Sequence, residues 1–227
     1  MLGALGSALA ALPDAVALGI DAMSFDAAAF ARVGAGSGHD LVLLVVYLAG
    51  VSQAVGNGVV LFLNRVRRWR FALSLALMGA IHLVGALVSA AVSLMLAEAL
   101  GARDLAFVPT IAVIALAQAP LMLGFLTLAP YLGELLDRLL DVWAMTLVLF
   151  GLHKGLGMTV EGAALIALLG WGSMHLLAFV LGRPLTLVVG ALKRVAAGGP
   201  LTLDSRNLVD VLKDRARGGD RTADRDR

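Results

Sequence analysis

The 227-residue chain contains no cysteine, which excludes disulfides, iron–sulfur clusters and cysteine-rich zinc sites. Charge is also scarce. Asp, Glu, Lys and Arg together make up 15% of the residues, and 18 cations stand against 16 carboxylates. The cations are clustered rather than spread into a groove or face, so nucleic acid is not expected as a partner. Histidine occurs only four times, with no HExxH or comparable metal spacing among them. A Ser-His-Asp set, a phosphate-cradling glycine loop and a dinucleotide fingerprint are likewise missing. No hydrophilic segment is long enough to bury a soluble core of its own. These absences leave no catalytic constellation, and the chain reads as neither an enzyme nor the holder of a cofactor.

What the chain has instead is apolar length. Hydrophobic residues make up 60% of it and the mean hydropathy is +0.91, whereas a soluble domain is about half apolar. Between Arg70 and Glu98, residues 71–97 carry no formal charge, a run long enough to cross the hydrocarbon of a bilayer as one helix. Similar runs recur at residues 41–63, 105–129, 142–156 and 162–182. The pattern predicts an all-α, polytopic transmembrane bundle of about five spans. It divides into an amphipathic, interfacial N-terminal segment (1–40), a membrane domain (41–192) and a tail (193–227) with a short helix followed by disorder.

The loop between the first two long runs holds Arg65, Arg67, Arg68 and Arg70 around Trp69. Positive-inside bias places these arginines in the cytoplasm, and with them the topology: N-terminus outside, C-terminus inside. Arginine outnumbers lysine and alanine is abundant, a bias of GC-rich bacterial genomes that points to a bacterial inner membrane. Near the N-terminus, Leu2, Leu5, Leu9, Leu12, Val16 and Ile20 follow helical spacing, and Pro13 with Asp14 interrupts them. This reads as a helix lying on the membrane surface. Arg32 is the first cation, so the segment lacks the charged start of a signal peptide and is expected to be retained. Ser24, Asp26 and Phe30 lead into a second short helix, and Gly34, Gly36 and Gly38 form a hinge before the first span.

Polar residues inside apolar runs carry the functional expectations. In the first span Gln53, Asn57 and Asn64 fall within about 40° of one another on a helical wheel, near Gly50, Gly56 and Gly58. Their amides share a face suited to helix packing or to a polar path. His82 sits near the middle of the second span, with Ser89 and Ser93 on its side and Gly79 and Gly85 flanking that side. His175 lies at similar depth in the fifth, beside Trp171, so two imidazoles are placed to ligate a haem or relay a proton. The third span is punctuated by Pro109, Pro120 and Pro130, with Gln118 just before the middle one, and a kinked or broken helix is expected there. Glu134, Asp137, Arg138 and Asp141 follow helical spacing and are expected to form local salt bridges at a solvated helix start.

The segment Ala119-Pro120 through Leu128-Ala129-Pro130-Tyr131-Leu132-Gly133, then Leu140-Asp141-Val142-Trp143 and a hairpin of two short spans, resembles bacterial members of the Yip (Rab/Ypt-interacting protein) domain family. The resemblance covers roughly residues 41–190. It implies a five-span, non-enzymatic membrane protein that organises membrane or recruits partners. The partners expected are the lipid bilayer and another membrane protein or a second copy of the chain. The alternative is a small-solute or proton transporter or channel built on the Gln53/Asn57 face, His82 and Gln118; a bis-His haem protein comes third.

Overall fold

The computed structural model describes residues 6–7, 9–56, 68–99, 106–129 and 132–172. Among these, all regular structure is helical, and three helical stretches are long and apolar enough to cross a membrane: His39–Gly56, Phe71–Ala99 and Phe107–Leu128. Asn57, Asn64, Arg65, Arg67, Pro130, His175 and the tail fall outside the described residues.

The N-terminal region is helical and packs against the longer helices. The helical run is interrupted where Pro13 predicts, with helical residues 6–7 and 9–10 before a turn at Ala11, and helix α1 (Leu12–Met23) starts beyond it with Pro13 in its first turn. In a first turn the missing proline N–H has no intrahelical acceptor to lose, and the fixed φ is already helical. Its small residues Ala15, Gly19 and Ala22 and also Leu18 are buried, with Gly19 against the Met122 thioether and Val45. The large Val16 and Ile20 face outward, 39% and 52% exposed. α1 therefore packs on the bundle through its smallest side chains.

Phe25 turns the chain with φ 60°, and Asp26 caps helix α2 (Ala27–Gly34), its carboxylate accepting the Ala28 N–H at 2.9 Å. α2 buries Ala29, Phe30 and Val33. Gly36 and Gly38, at φ +93° and +75°, then make the turn into α3, a conformation that glycine adopts without a Cβ clash.

Helix α3 (His39–Gly56) crosses α4 (Arg68–Ala99), whose first turn includes Arg68 and Arg70, at a point with no room for side chains. A Cβ on Gly50 would lie 3.1 Å from Gly79 Cα and would strike His82. Paired glycines allow the backbones to approach this closely, which is how membrane helices gain packing where no hydrophobic driving force separates helix from lipid.

The third apolar stretch is broken at its midpoint, as its prolines predict. Helix α5 (Phe107–Leu116) ends at Ala117-Gln118, and a 3₁₀ helix runs from Ala119 to Leu128. Pro120 causes the change, because it has no N–H for the Leu116 carbonyl and its ring clashes with continued α geometry. Pro109 lies within the first turn of α5, where proline is accommodated, and the break is not there. A ten-residue 3₁₀ helix exceeds the usual three or four residues, and α3 supports it. Ser52 Oγ donates to the Met122 carbonyl (2.7 Å) and accepts the Phe125 N–H (2.9 Å). Gly124 meanwhile rests directly on the Gln53 backbone.

Helix α6 (Gly133–Phe150) runs into a π turn (Gly151–Gly155), and α7 (Val160–Gly172) follows. Phe30, fully buried, fills the space left by Gly151 and Gly155. Phe150 meets Phe25 and Phe30 edge-on, with ring centroids 5.3 and 5.8 Å away. This junction ties the N-terminal helices to the far end of α6. His153 Nδ1 lies 2.7 Å from the Met158 carbonyl, and His39 Nε2 lies 3.2 Å from that of Val33, so both span-end histidines are tied to backbone.

Candidate functional site: a polar cavity within the bundle

Away from that junction the helices part around a cavity of about 310 Å³. One stripe of α4 forms a wall: His82, Ala86, Ser89, Ala90 and Ser93. These positions recur at intervals of three, four and seven, so they share a helix face, and the stripe extends over about 16 Å at 1.5 Å per residue. Gln53 enters from α3, one turn beyond the Gly50 crossing that holds His82 in place. Gln118 enters from the break between α5 and the 3₁₀ helix, flanked by Ile114 and Leu121. The break is therefore what presents an amide to the interior at the middle of an apolar span.

The remaining wall comes from the hairpin. Asp141, Ala144, Met145 and Val148 line the cavity from α6, and Ile166, Ala167, Gly170 and Trp171 from α7. Ser93 Oγ donates to the Ser89 carbonyl at 2.7 Å, and Gly170 leaves room for that hydroxyl. His82 Nε2 is buried and, among the described residues, has no hydrogen-bond partner; Trp143 Nε1, on a face of α6 turned away from Asp141 and outside the cavity lining, is in the same condition. A buried polar atom left unpaired costs about 1–3 kcal/mol, so the place of His82 beside a cavity is informative.

Of the six intramembrane polar residues singled out in the sequence, Gln53, His82 and Gln118 converge here, while Asn57, Asn64 and His175 lie outside the described residues. The bis-His arrangement thus rests on a residue the structure does not describe. Ser89 and Ser93 join His82 on the side their spacing predicted. Asp141 and Trp171 are additions. Asp141 was grouped with the solvated carboxylates, yet its spacing to Ala144, Met145 and Val148 matches one helix face and would have placed it on the wall. Glu134 and Arg138 do form the expected pair, at 2.6 Å on an exposed surface.

Chemically, the cavity combines a few hydrogen-bonding groups and the Asp141 carboxylate with apolar side chains that range from Ala86 and Ala90 to Ile166 and Trp171, inside helices whose outer faces are apolar. That is the composition of a small-molecule site: mostly hydrophobic, with a few convergent polar groups. Compared with known proteins, the chain matches no family model, no curated protein and no solved structure.

Proposed function

We propose that this chain is a polytopic membrane protein that lodges a small polar solute in the cavity and serves its passage through the bilayer. The observation that carries the reading is the convergence of Gln53, His82 and Gln118, from three different helical stretches, on one cavity. The broken third span supports it, since transporters build mid-membrane sites from interrupted helices. In this reading α6 and α7 belong to the fourth and fifth spans. The arginines at 65, 67, 68 and 70 face the cytoplasm of a bacterial cell, and the N-terminus is outside.

A second reading, a Yip-like scaffold without transport activity, draws on the outer face of α6, where Leu135, Leu139 and Val142 are exposed at helical spacing. Such a face suits a partner helix as well as lipid.

The deciding experiment is flux into proteoliposomes for a panel of ions and neutral solutes, with His82→Leu and Gln118→Leu alongside. Passage above that of protein-free vesicles, lost in both variants, is expected. Background flux for the entire panel from folded, monodisperse protein overturns the solute reading. A stoichiometric protein copurifying from gently solubilised native membranes would then favour the scaffold.

A further inference from the structure

We infer that the solute is a small uncharged molecule bearing hydrogen-bond donors and acceptors, of the polyol or carboxamide class; this rests on the reading of the cavity as a solute site. Charge in the lining points to an uncharged guest. The described lining contains no Lys or Arg, and its single carboxylate belongs to Asp141, an exposed residue. An anion would lose its hydration and meet no counter-charge. A metal cation needs a ring of carbonyls or carboxylates to replace its water, and one carboxylate on an exposed residue is no such ring.

Hydrogen-bond type points the same way. Carboxamides such as those of Gln53 and Gln118 carry both donors and an acceptor, the buried Nε2 of His82 has no partner among the described residues, and the Ser93 hydroxyl, whose proton goes to the Ser89 carbonyl, keeps acceptor capacity. Groups with mixed capacity complement hydroxyls and carboxamides, which are mixed themselves. Size and wall agree. Ala86, Ala90 and Ala144 make the surface between these groups small and apolar, suited to the CH groups of such a solute. A volume of about 310 Å³ stands at the small end of ligand pockets, which run from about 300 to 1,000 Å³.

The test uses the full chain in proteoliposomes. Glycerol and urea are followed by stopped-flow light scattering, and potassium and chloride by ion-sensitive dyes. Ala90→Phe fills the cavity from the α4 wall. Val88→Phe adds the same ring two residues away, on the outward face where Val88 is exposed. The expected result is protein-dependent passage of glycerol or urea, abolished by Ala90→Phe and retained by Val88→Phe, with both ions at background. Ion flux that Ala90→Phe abolishes overturns the uncharged class while leaving the solute reading standing. Background passage of all four probes while another solute of the wider panel passes overturns the polyol or carboxamide class alone, and background passage of the entire panel overturns the solute reading itself. If Ala90→Phe loses its monodisperse profile, Gln118→Glu replaces it, keeping side-chain length and adding a charge. Loss of glycerol and urea passage then supports the assignment, and unchanged passage overturns it.

Discussion

The middle of helix α6 and its C-terminal end sit in opposite kinds of packing. Around the π turn, Phe30 occupies the space that side chains at Gly151 and Gly155 would need, and Gly34 abuts the Gly155 carbonyl. Earlier along the same helix, Asp141 and Ala144 face a cavity of about 310 Å³. One region has no room for a methyl group and the other leaves a void among small residues and amides. The difference separates tight from loose packing along one helix: interlocked glycines and aromatics fix the helices at the π turn, and the gap left elsewhere is what the proposed solute reading draws on.

The comparison breaks most readily at Phe30. Phe30→Ala empties the dry junction and is expected to lower stability by about 3–5 kcal/mol, read as a large fall in melting temperature in detergent. Gly155→Ala attacks the same contact from the other side. Its Cβ would lie 2.8 Å from Phe30 Cβ and 3.0 Å from the Phe30 carbonyl carbon, and overpacking of this kind costs about 1–3 kcal/mol. Ser52→Ala removes the side chain that bridges α3 to the 3₁₀ helix and leaves two backbone groups short of a partner. A loss of about 1–2 kcal/mol is expected, with faster amide exchange at Phe125. Ala144→Leu sharpens the contrast, since it adds three heavy atoms facing the cavity where Gly155→Ala adds one at the junction. It should move stability by less than about 1 kcal/mol while reducing solute passage. Smallest of all, Glu134→Gln breaks the exposed pair with Arg138 and should change stability by no more than about 0.5 kcal/mol.

The break before Pro120 was legible in the sequence because proline acts on the backbone, whatever surrounds it. The stripe of His82, Ser89 and Ser93 was legible because polar residues stand out in an apolar run and helical spacing groups them. The packing of α1 was not. Leu12, Val16 and Ile20 mark one face of a helix by their spacing, and that spacing says nothing of which side chains meet the rest of the bundle. With lipid as solvent, large apolar side chains gain nothing by turning inward, and Ala15, Gly19 and Ala22 go inside because they permit close approach. Small residues scarcely register in a hydrophobic pattern, so the buried face was hidden. The π turn was hidden for a related reason: Phe30, which packs against Gly151 and Gly155, stands more than a hundred positions away in the chain.

The length of α4 has a consequence of its own. Its apolar stretch Phe71–Ala99 holds 29 residues, about 43 Å of helix at 1.5 Å per residue, against a hydrocarbon layer of about 30 Å. An upright helix of that length would overshoot the layer, so α4 must lean or project into the headgroups. Since α4 supplies the longest wall of the cavity, its lean sets how far that wall stands from α6 and α7. The thickness of the surrounding membrane thereby becomes a control on the shape of the cavity, and under the solute reading proposed above thin and thick bilayers would differ in passage.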